Sequence, residues 1–357
     1  MNNEERIVAH VDMDHFFTAV EVREHPEWEG EPVVVGADPE GGAGRGVVST
    51  CNYQAREFGV RSGMPISRAW KLCPQAVYRP VNRQLYRRVS HRIMDLLRGY
   101  TQKFEQWGID EAFLDLTSRV EGYQEAAALA QQIQQQILEQ EGLTCSIGLG
   151  PNKLVAKIAS DYRKPDGLTV VKEEEVKRFL APLPVRKLLW VGRKTEQRLN
   201  SMEIETIGDL AGYDPTVLKE EFGVTGTQLY LMAHGVDDSE VEENGEAKSI
   251  SRESTFKEDT ADHTFILQSL DNLSEQVMKK VEKQEVSFKT VTVKVRYEDF
   301  ETHTHRKTHT FPTDRLQDLQ ETARKLIRKF LKSERKIRLI GVKVSNFISA
   351  EKQQKLI

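Results

Sequence analysis

The chain has 357 residues, of which 38% are hydrophobic and 30% charged; this is too long for one ordinary core and points to two to four domains. No apolar run approaches the roughly 18 residues of a membrane span, the start lacks the basic-then-apolar layout of a signal peptide, and three scattered cysteines (Cys51, Cys73, Cys145) fit neither a disulfide framework nor a zinc site, so a reducing cytoplasm is expected. The net charge of −4 is uneven, because residues 246–357 carry 23 Lys+Arg against 17 Asp+Glu, net +6, and the first 245 carry 28 against 38, net −10; either the two parts handle different ligands or a solvated surface is unevenly charged.

Residues 6–11 form a continuous apolar run, the pattern of a buried strand. "TAVEVREHP" is helical up to Pro26, "EPVVVGA" is a second buried strand, and "VVSTCNY" a third after the turn "GGAGRG". That turn lacks a following Gly-Lys-Ser/Thr and is no phosphate-binding P-loop. "QAREFGV" and "ISRAWKLCP" are short helices split at "RSGMP". Val81 to Arg98 is a basic amphipathic helix, and "FEQWGIDEAFLDL" gives two short strands about Trp107–Gly108. "QEAAALAQQIQQQILEQEG" is a helix closed by Gly142. "LTCSIGLG", "NKLVAKIASDYRKPDG" and "LTVV" add strand, helix and strand, so the first part is a mixed sheet covered by helices. Between Glu173 and Gly235 the strand signal vanishes into short helices. The acidic "VDDSEVEENGEAK" is expected as a linker. Residues 249–347 then order as a βαββαβ module with helices at 262–283 and 314–331.

The chemistry concentrates in two acidic pairs. Asp12 and Asp14 lie two apart and share a face if the strand extends that far. Asp110 and Glu111 are adjacent, which on a regular strand sends them to opposite faces; the turn at Gly108 offers relief. Carboxylates gathered ~4 Å apart at an effective dielectric of about 20 repel by about 4 kcal/mol per pair. A divalent cation removes that penalty, and oxygen ligands without a His/Cys set favour Mg²⁺ over Zn²⁺. Surface acids at strand ends are the alternative for either pair alone. Basic groups in "CNYQAREFGV" and "SDYRKPDG" together resemble a triphosphate grip.

"VDMDHFFTAVE", "STCNYQAREFGV", "GIDEAFLDL", "GLGPNKLVAKIASDYRKPDG" and "RKIRLIGVKVSNF" occur in the order and spacing of the Y-family DNA polymerases, and most resemble their lesion-bypass, DNA polymerase IV type. The resemblance spans essentially the whole chain. It implies an α/β (α+β) multidomain, right-hand polymerase: palm at 1–15 and 82–171, small fingers at 16–81, helical thumb at 172–238, linker at 239–248, a DNA-binding little finger at 249–347 and a tail at 348–357. The implied activity is template-directed, low-fidelity DNA synthesis with bypass of damaged bases by a cytoplasmic monomer. Primer–template DNA and deoxynucleoside triphosphates are the implied partners.

The resemblance also implies roles. Asp12, Asp110 and Glu111, with the carbonyl of Met13, would hold two Mg²⁺ ions for phosphoryl transfer. Tyr53, Arg56 and Lys164 would grip the triphosphate, helped by the backbone N–H groups of Phe16 and Phe17. Phe17 would be the steric gate against a ribose 2′-hydroxyl; an ordinary core aromatic is the alternative. Val47, Val48 and Ser49 would roof the nascent base pair. Asp14 is expected to support the site without ligating, and His15 stands where tyrosine is often found.

"LLWVGRKTEQRL" followed by "EIETIGDLA" resembles a helix–hairpin–helix that grips phosphates, through Gly192, Lys194 and Thr195. Trp190 replaces the usual glycine there, with packing into the thumb core as one destination. Arg252, Lys294, Arg296, Arg306, Lys307, Arg338 and Lys343 are the little-finger candidates for DNA, each with an idle surface charge as its alternative. "HTHRKTH" (303–309) lacks a third convergent ligand and is expected as a DNA-facing or solvent strand, not a metal site. Gln353–Leu356 or Gln354–Ile357 could begin a sliding-clamp motif without its aromatic half; a frayed tail is the alternative. The rival functions are a palm-type nucleotidyl cyclase and an inactive DNA-binding scaffold.

Overall fold

The computed structural model describes residues 5–243, 245, 247–332 and 335–349, and the tail carrying the clamp-like pattern lies outside them. The chain forms two compact units, Met1–Asn244 and Gly245–Ile357.

In the first unit, strand β1 (Val8–Met13) leads into helix α1 (Phe16–Glu24). Strands β2 (Val33–Gly36), β3 (Val48–Cys51) and β4 (Val77–Pro80) make a small sheet of order β3-β2-β4, carrying α2 (Tyr53–Glu57) and α3 (Ile66–Leu72). Helix α4 (Arg83–Arg98) returns the chain to β5 (Lys103–Gln106) and β6 (Glu111–Asp115). Then α5 (Tyr123–Glu141), β7 (Cys145–Gly150), α6 (Lys153–Ser160) and β8 (Leu168–Val170) complete a five-stranded sheet of order β5-β6-β1-β7-β8.

The run that opens the chain is apolar on both faces because β1 is central. Ile7, Ala9, Val11 and Met13 pack into the core shared with α4 and α5, while Val8 joins Phe113 and Ala156 on the other side. Helix α5 buries Ala126, Ala130, Ile133 and Ile137 at helical spacing and ends at Gly142, whose φ of 63° needs no Cβ. Gly148 in β7 is required by contact: a Cβ there would meet the Ala156 carbonyl of α6 at 2.1 Å.

Helices α7 (Val176–Leu180), α8 (Arg193–Asn200), α9 (Ile207–Ala211), α10 (Pro215–Phe222) and α11 (Val224–Ala233) follow. They share a core with Leu154, Val155 and Ile158 of α6. The acidic segment after them is no loose connector up to Glu243. Val241 is 1% exposed beside Val8, Phe113 and Ala156. Asp237 accepts from the Leu154 N–H at 3.0 Å, and Lys153 reaches the Glu240 carbonyl at 3.3 Å.

The second unit comprises β9 (Ser249–Thr260), α12 (His263–Lys283), β10 (Val286–Tyr297), β11 (Thr302–Thr313), α13 (Leu316–Ile327) and β12 (Ile337–Ser349), an antiparallel sheet of order β11-β10-β12-β9. Val291, Val293, Val295, Ile340, Val342 and Val344 pack with both helices. The opposite face carries Thr292, Lys294, Arg296 and Lys343 by strand alternation. Among the described residues no helix is long and apolar enough to cross a membrane.

Candidate active site

β1 and β6 run antiparallel with Asp12 directly across from Glu111. Strand β6 begins at Glu111, so Asp110 belongs to the preceding turn and escapes strand alternation; its carbonyl accepts the Met13 N–H at 3.0 Å. Asp110 is pushed up to about 6 by burial, then by the charges of Asp12 and Glu111, against the pull of Lys164. Three acids therefore crowd one strand end. Two lysines lie on them: Lys164 Nζ is 2.6 Å from Asp12 Oδ1, and Lys157 Nζ contacts Glu111 Oε2.

His10, two residues before Asp12 and on its face, completes the tightest group. One ligand atom each from His10, Asp12 and Glu111 lies within 4.8 Å of the others. His10 Nδ1 pairs with Ser160 Oγ at 2.7 Å, and its Nε2 lies 3.3 Å from Glu111. Burial holds the imidazole below its usual range. Burial alone would raise Glu111, but the His10 hydrogen bond and Lys157 outweigh it and bring the carboxyl down to about 2. Neither His10 nor Lys157 is picked out by the sequence patterns. The signal available was spacing: His10 precedes Asp12 by two on a strand, and Lys157 precedes Lys164 by seven.

Asp14 stands apart from this cluster. It is 1% exposed. Its carboxylate accepts from Thr144 Oγ1 (2.9 Å), Ser146 Oγ (2.8 Å) and the Asp166 N–H (2.8 Å), tying β1 to the segment after Lys164. His15 follows at φ 35°, its ring edge-on to Tyr53 at 5.1 Å. Burial lowers His15 to about 4.

Phe16 is buried and Phe17 half-buried at the start of α1. Phe17 stacks on Tyr86 of α4, with centroids 4.3 Å apart and planes 13° from parallel. The Tyr86 hydroxyl donates to Glu21 Oε1 at 2.7 Å, so the platform is itself anchored. Nothing in the spacing of the sequence links Phe17 to Tyr86.

Tyr53 begins α2, its hydroxyl buried and without a hydrogen-bond partner. Burial, with Asp14 and Asp12, pushes it up to about 12. The Arg56 guanidinium lies 4.6 Å from the Tyr53 ring centre, and its Nε donates to the Cys51 carbonyl at 3.2 Å. Val48 is buried on β3, whereas Val47 and Ser49 are exposed.

Gly192 caps α8, with Lys194 exposed and Thr195 half-buried in its first turn. Trp190 does not enter the helical core. It is 74% exposed, holds φ 68° as a glycine readily would, and tilts toward Trp107 at 6.0 Å.

The basic candidates of the second unit divide by face. Arg306 lies opposite Thr292 and joins Lys294, Arg296 and Lys343 on the open side. Lys307 lies opposite Val291, and Arg252 opposite Val342, so both alternate to the helix-covered side. Arg338 lies 4.5 Å over Phe300 and 3.8 Å from Asp259. The histidines of "HTHRKTH" do not face the open side either: His305 packs on Phe330 at 5.0 Å and His309 pairs with Thr322 of α13 at 3.2 Å.

Models of the impB/mucB/samB family match residues 11–161, and of its C-terminal domain residues 247–356; a "DNA polymerase-iota, thumb domain" model matches residues 187–237. The chain is 48% identical over 356 residues to "DNA polymerase IV 2" of Methanosarcina mazei, covering 100% of this chain and 96% of that protein. It is 40% identical to "DNA polymerase IV" of Lactococcus lactis subsp. cremoris, covering 97% and 96%. Among solved structures, a "Y-family DNA polymerase chimera Dbh-Dpo4(243-245)-Dbh" superposes with a TM-score of 0.88 at 34% identity, covering 96% of this chain and 99% of that one. The "Insertion ternary complex of Dbh DNA polymerase" matches with a TM-score of 0.66 at 33% identity over the same shares. Family models over most of the length, and relatives this similar end to end, agree with the acids and aromatics assembled around β1: the chain belongs to the Y-family DNA polymerases, in the DNA polymerase IV group.

Proposed function

We propose that Asp12, Asp110 and Glu111 are the catalytic carboxylates of a translesion DNA polymerase, and that with the Met13 carbonyl they hold two Mg²⁺ ions. The chain is a low-fidelity, template-directed DNA polymerase that adds deoxynucleotides to a primer 3′-hydroxyl and bypasses damaged template bases. The observation that carries the assignment is the convergence of these acids with Lys164 and Lys157 lying against them. Repelling carboxylates already draw in the nearest cations, and three carboxylates with a carbonyl suit Mg²⁺, His10 being engaged by Ser160 and Glu111 beside them. When bound, the ions supply the charge that activates the 3′-hydroxyl and stabilises the departing pyrophosphate.

The chain's own residues orient the nucleotide. The unpartnered Tyr53 hydroxyl is a donor awaiting an acceptor, and a phosphate oxygen fits it. Arg56 offers a planar fork and Lys164 a point charge for the same triphosphate. The first-turn N–H groups of Phe16 and Phe17 add donors. Phe17, backed by Tyr86, excludes a 2′-hydroxyl, and the exposed Val47 and Ser49 roof the base pair, while the Val48 side chain packs into the core beneath them. Duplex contacts are assigned to Gly192, Lys194 and Thr195, and to Lys294, Arg296, Arg306 and Lys343 on the open face. The buried, unpaired cysteines support a reducing cytoplasm, and the monomeric state belongs to the same reading.

Primer extension with four deoxynucleotides and Mg²⁺ tests the assignment. Wild-type protein extends, and Asp110→Ala does not while keeping duplex affinity. Residual extension by the variant above background overturns the metal assignment. The cyclase and scaffold readings lack support: all three acids are present, and the thumb and C-terminal modules have no place in a cyclase.

A further inference from the structure

The open face of the C-terminal sheet carries an acid among its cations. Register aligns Thr304, Lys294, Gly341 and Glu253 in one row across four strands. Glu253 and Lys294 are thus separated by the whole width of β12, with Gly341 between them. A Cβ at Gly341 would lie 2.8 Å from Glu253 Cγ, so a side chain there would block the path. Gly341 is not among the positive-φ glycines; its service is the gap. Through it Glu253 reaches over β12, and both its carboxylate oxygens take the Lys294 ammonium, at 2.9 and 3.0 Å. The side chains are 41% and 29% exposed, so the pair lies on the surface that a duplex would meet.

We propose that Glu253 is a built-in brake on DNA binding: it neutralises Lys294 and sets a negative charge against the phosphate backbone. The proposal rests on the open face being the DNA-contact face. Phosphate contacts gain affinity by releasing counterions, and each engaged cation adds about 0.9 to the slope of log K against log salt. A carboxylate locked onto one of the few cations of the face cancels one such contribution. The polymerase therefore holds its template less tightly than its count of basic residues implies, and leaves it sooner.

The test is fluorescence anisotropy of the full-length chain on a labelled primer–template duplex, from about 50 to 200 mM salt. Glu253→Gln, close in shape, should tighten binding about three- to tenfold at the low end, steepen the slope by about 0.9, and lengthen the products made per binding event. Lys294→Ala should flatten the slope less than half as much in the wild type as in the Glu253→Gln background. The control is Arg306→Ala, in the neighbouring row. If it flattens the slope while Glu253→Gln changes nothing, the brake is overturned and the DNA face stands. If neither variant moves the slope, both fall. Matching thermal unfolding of Glu253→Gln and wild type assigns the change to charge and not to folding.

Discussion

Phe17 and Tyr86 lie face to face, 4.3 Å between ring centres, although 69 positions separate them in the chain. In the proposed steric gate, Tyr86 is then the backing of a two-ring device. Phe17→Ala should lower deoxy-over-ribo discrimination at least tenfold, about 1.4 kcal/mol. Tyr86→Leu removes the backing ring and should lower it less, while Tyr86→Phe, which keeps the ring, should stay near wild type. Single-nucleotide incorporation kinetics read all three, and a Tyr86→Leu value equal to wild type would show that Phe17 needs no support.

Asp14 and Asp110 should separate in their effects on stability. Asp14→Ala strands three donors, one of them the Asp166 N–H, in a buried site, and should cost about 2–4 kcal/mol. Asp110→Asn relieves the crowding with Asp12 and Glu111 and should leave stability equal or higher in chelator while abolishing extension. Urea unfolding with chelator present gives both numbers; equal losses would contradict the distinction.

Glu141 links two helices by pairing with Arg92 on α4 and Arg23 at the end of α1. Burial works to raise its carboxyl, but the Arg92 hydrogen bond and charge, then Arg23, hold it below the ordinary value. A folded pKa lower than the unfolded one contributes stability above the unfolded value, near 4.3, that is lost as pH falls through the folded one. Glu141→Gln should therefore cost about 2–3 kcal/mol at neutral pH, with the melting curves of variant and wild type converging below about pH 4. A gap that stays constant down to pH 3 would exclude the pairing as its cause.

Lys153 and Glu105 form a buried ion pair at 2.6 Å under the acidic segment, where the Glu242 N–H also meets Glu105 at 3.3 Å. Lys153→Met leaves Glu105 charged and enclosed, and should cost about 3–5 kcal/mol. Adding Glu105→Gln should recover most of it. Denaturant midpoints of the single and double variants decide; additive losses would mean that the two groups do not interact.

Much of this was legible in the sequence because it is local. Apolar runs announced β1 and β2, helical spacing announced α5 with its Gly142 stop, and the order of elements after residue 249 emerged as written. The two acidic pairs stood out as motifs, and strand pairing brings Asp12, Asp110 and Glu111 to one strand end while Asp14 turns away. What escaped depends on register and long-range contact. The side on which Arg252 and Lys307 fall follows from their partners Val342 and Val291, which only strand pairing reveals. His10 looked like part of a strand until Glu111 was set across from Asp12. The segment up to Glu243 looked like a linker because its composition is acidic, yet buried Val241 and the contacts of Asp237 and Glu240 seat it. Trp190 misled in the other direction: a large apolar residue implies burial, but the left-handed backbone at that position turns it outward.

That outward indole makes the protein its own optical probe. Of four tryptophans, Trp190 is 74% exposed, just before α8, with its ring centre 6.0 Å from that of Trp107, which immediately precedes the turn bearing Asp110. With Trp28 and Trp70 replaced by Phe, emission from the remaining pair should respond to any change in the Trp107–Trp190 spacing, without a dye or tag. A stopped-flow record of it during nucleotide addition would time the motion of the thumb against the chemistry, on unlabelled protein.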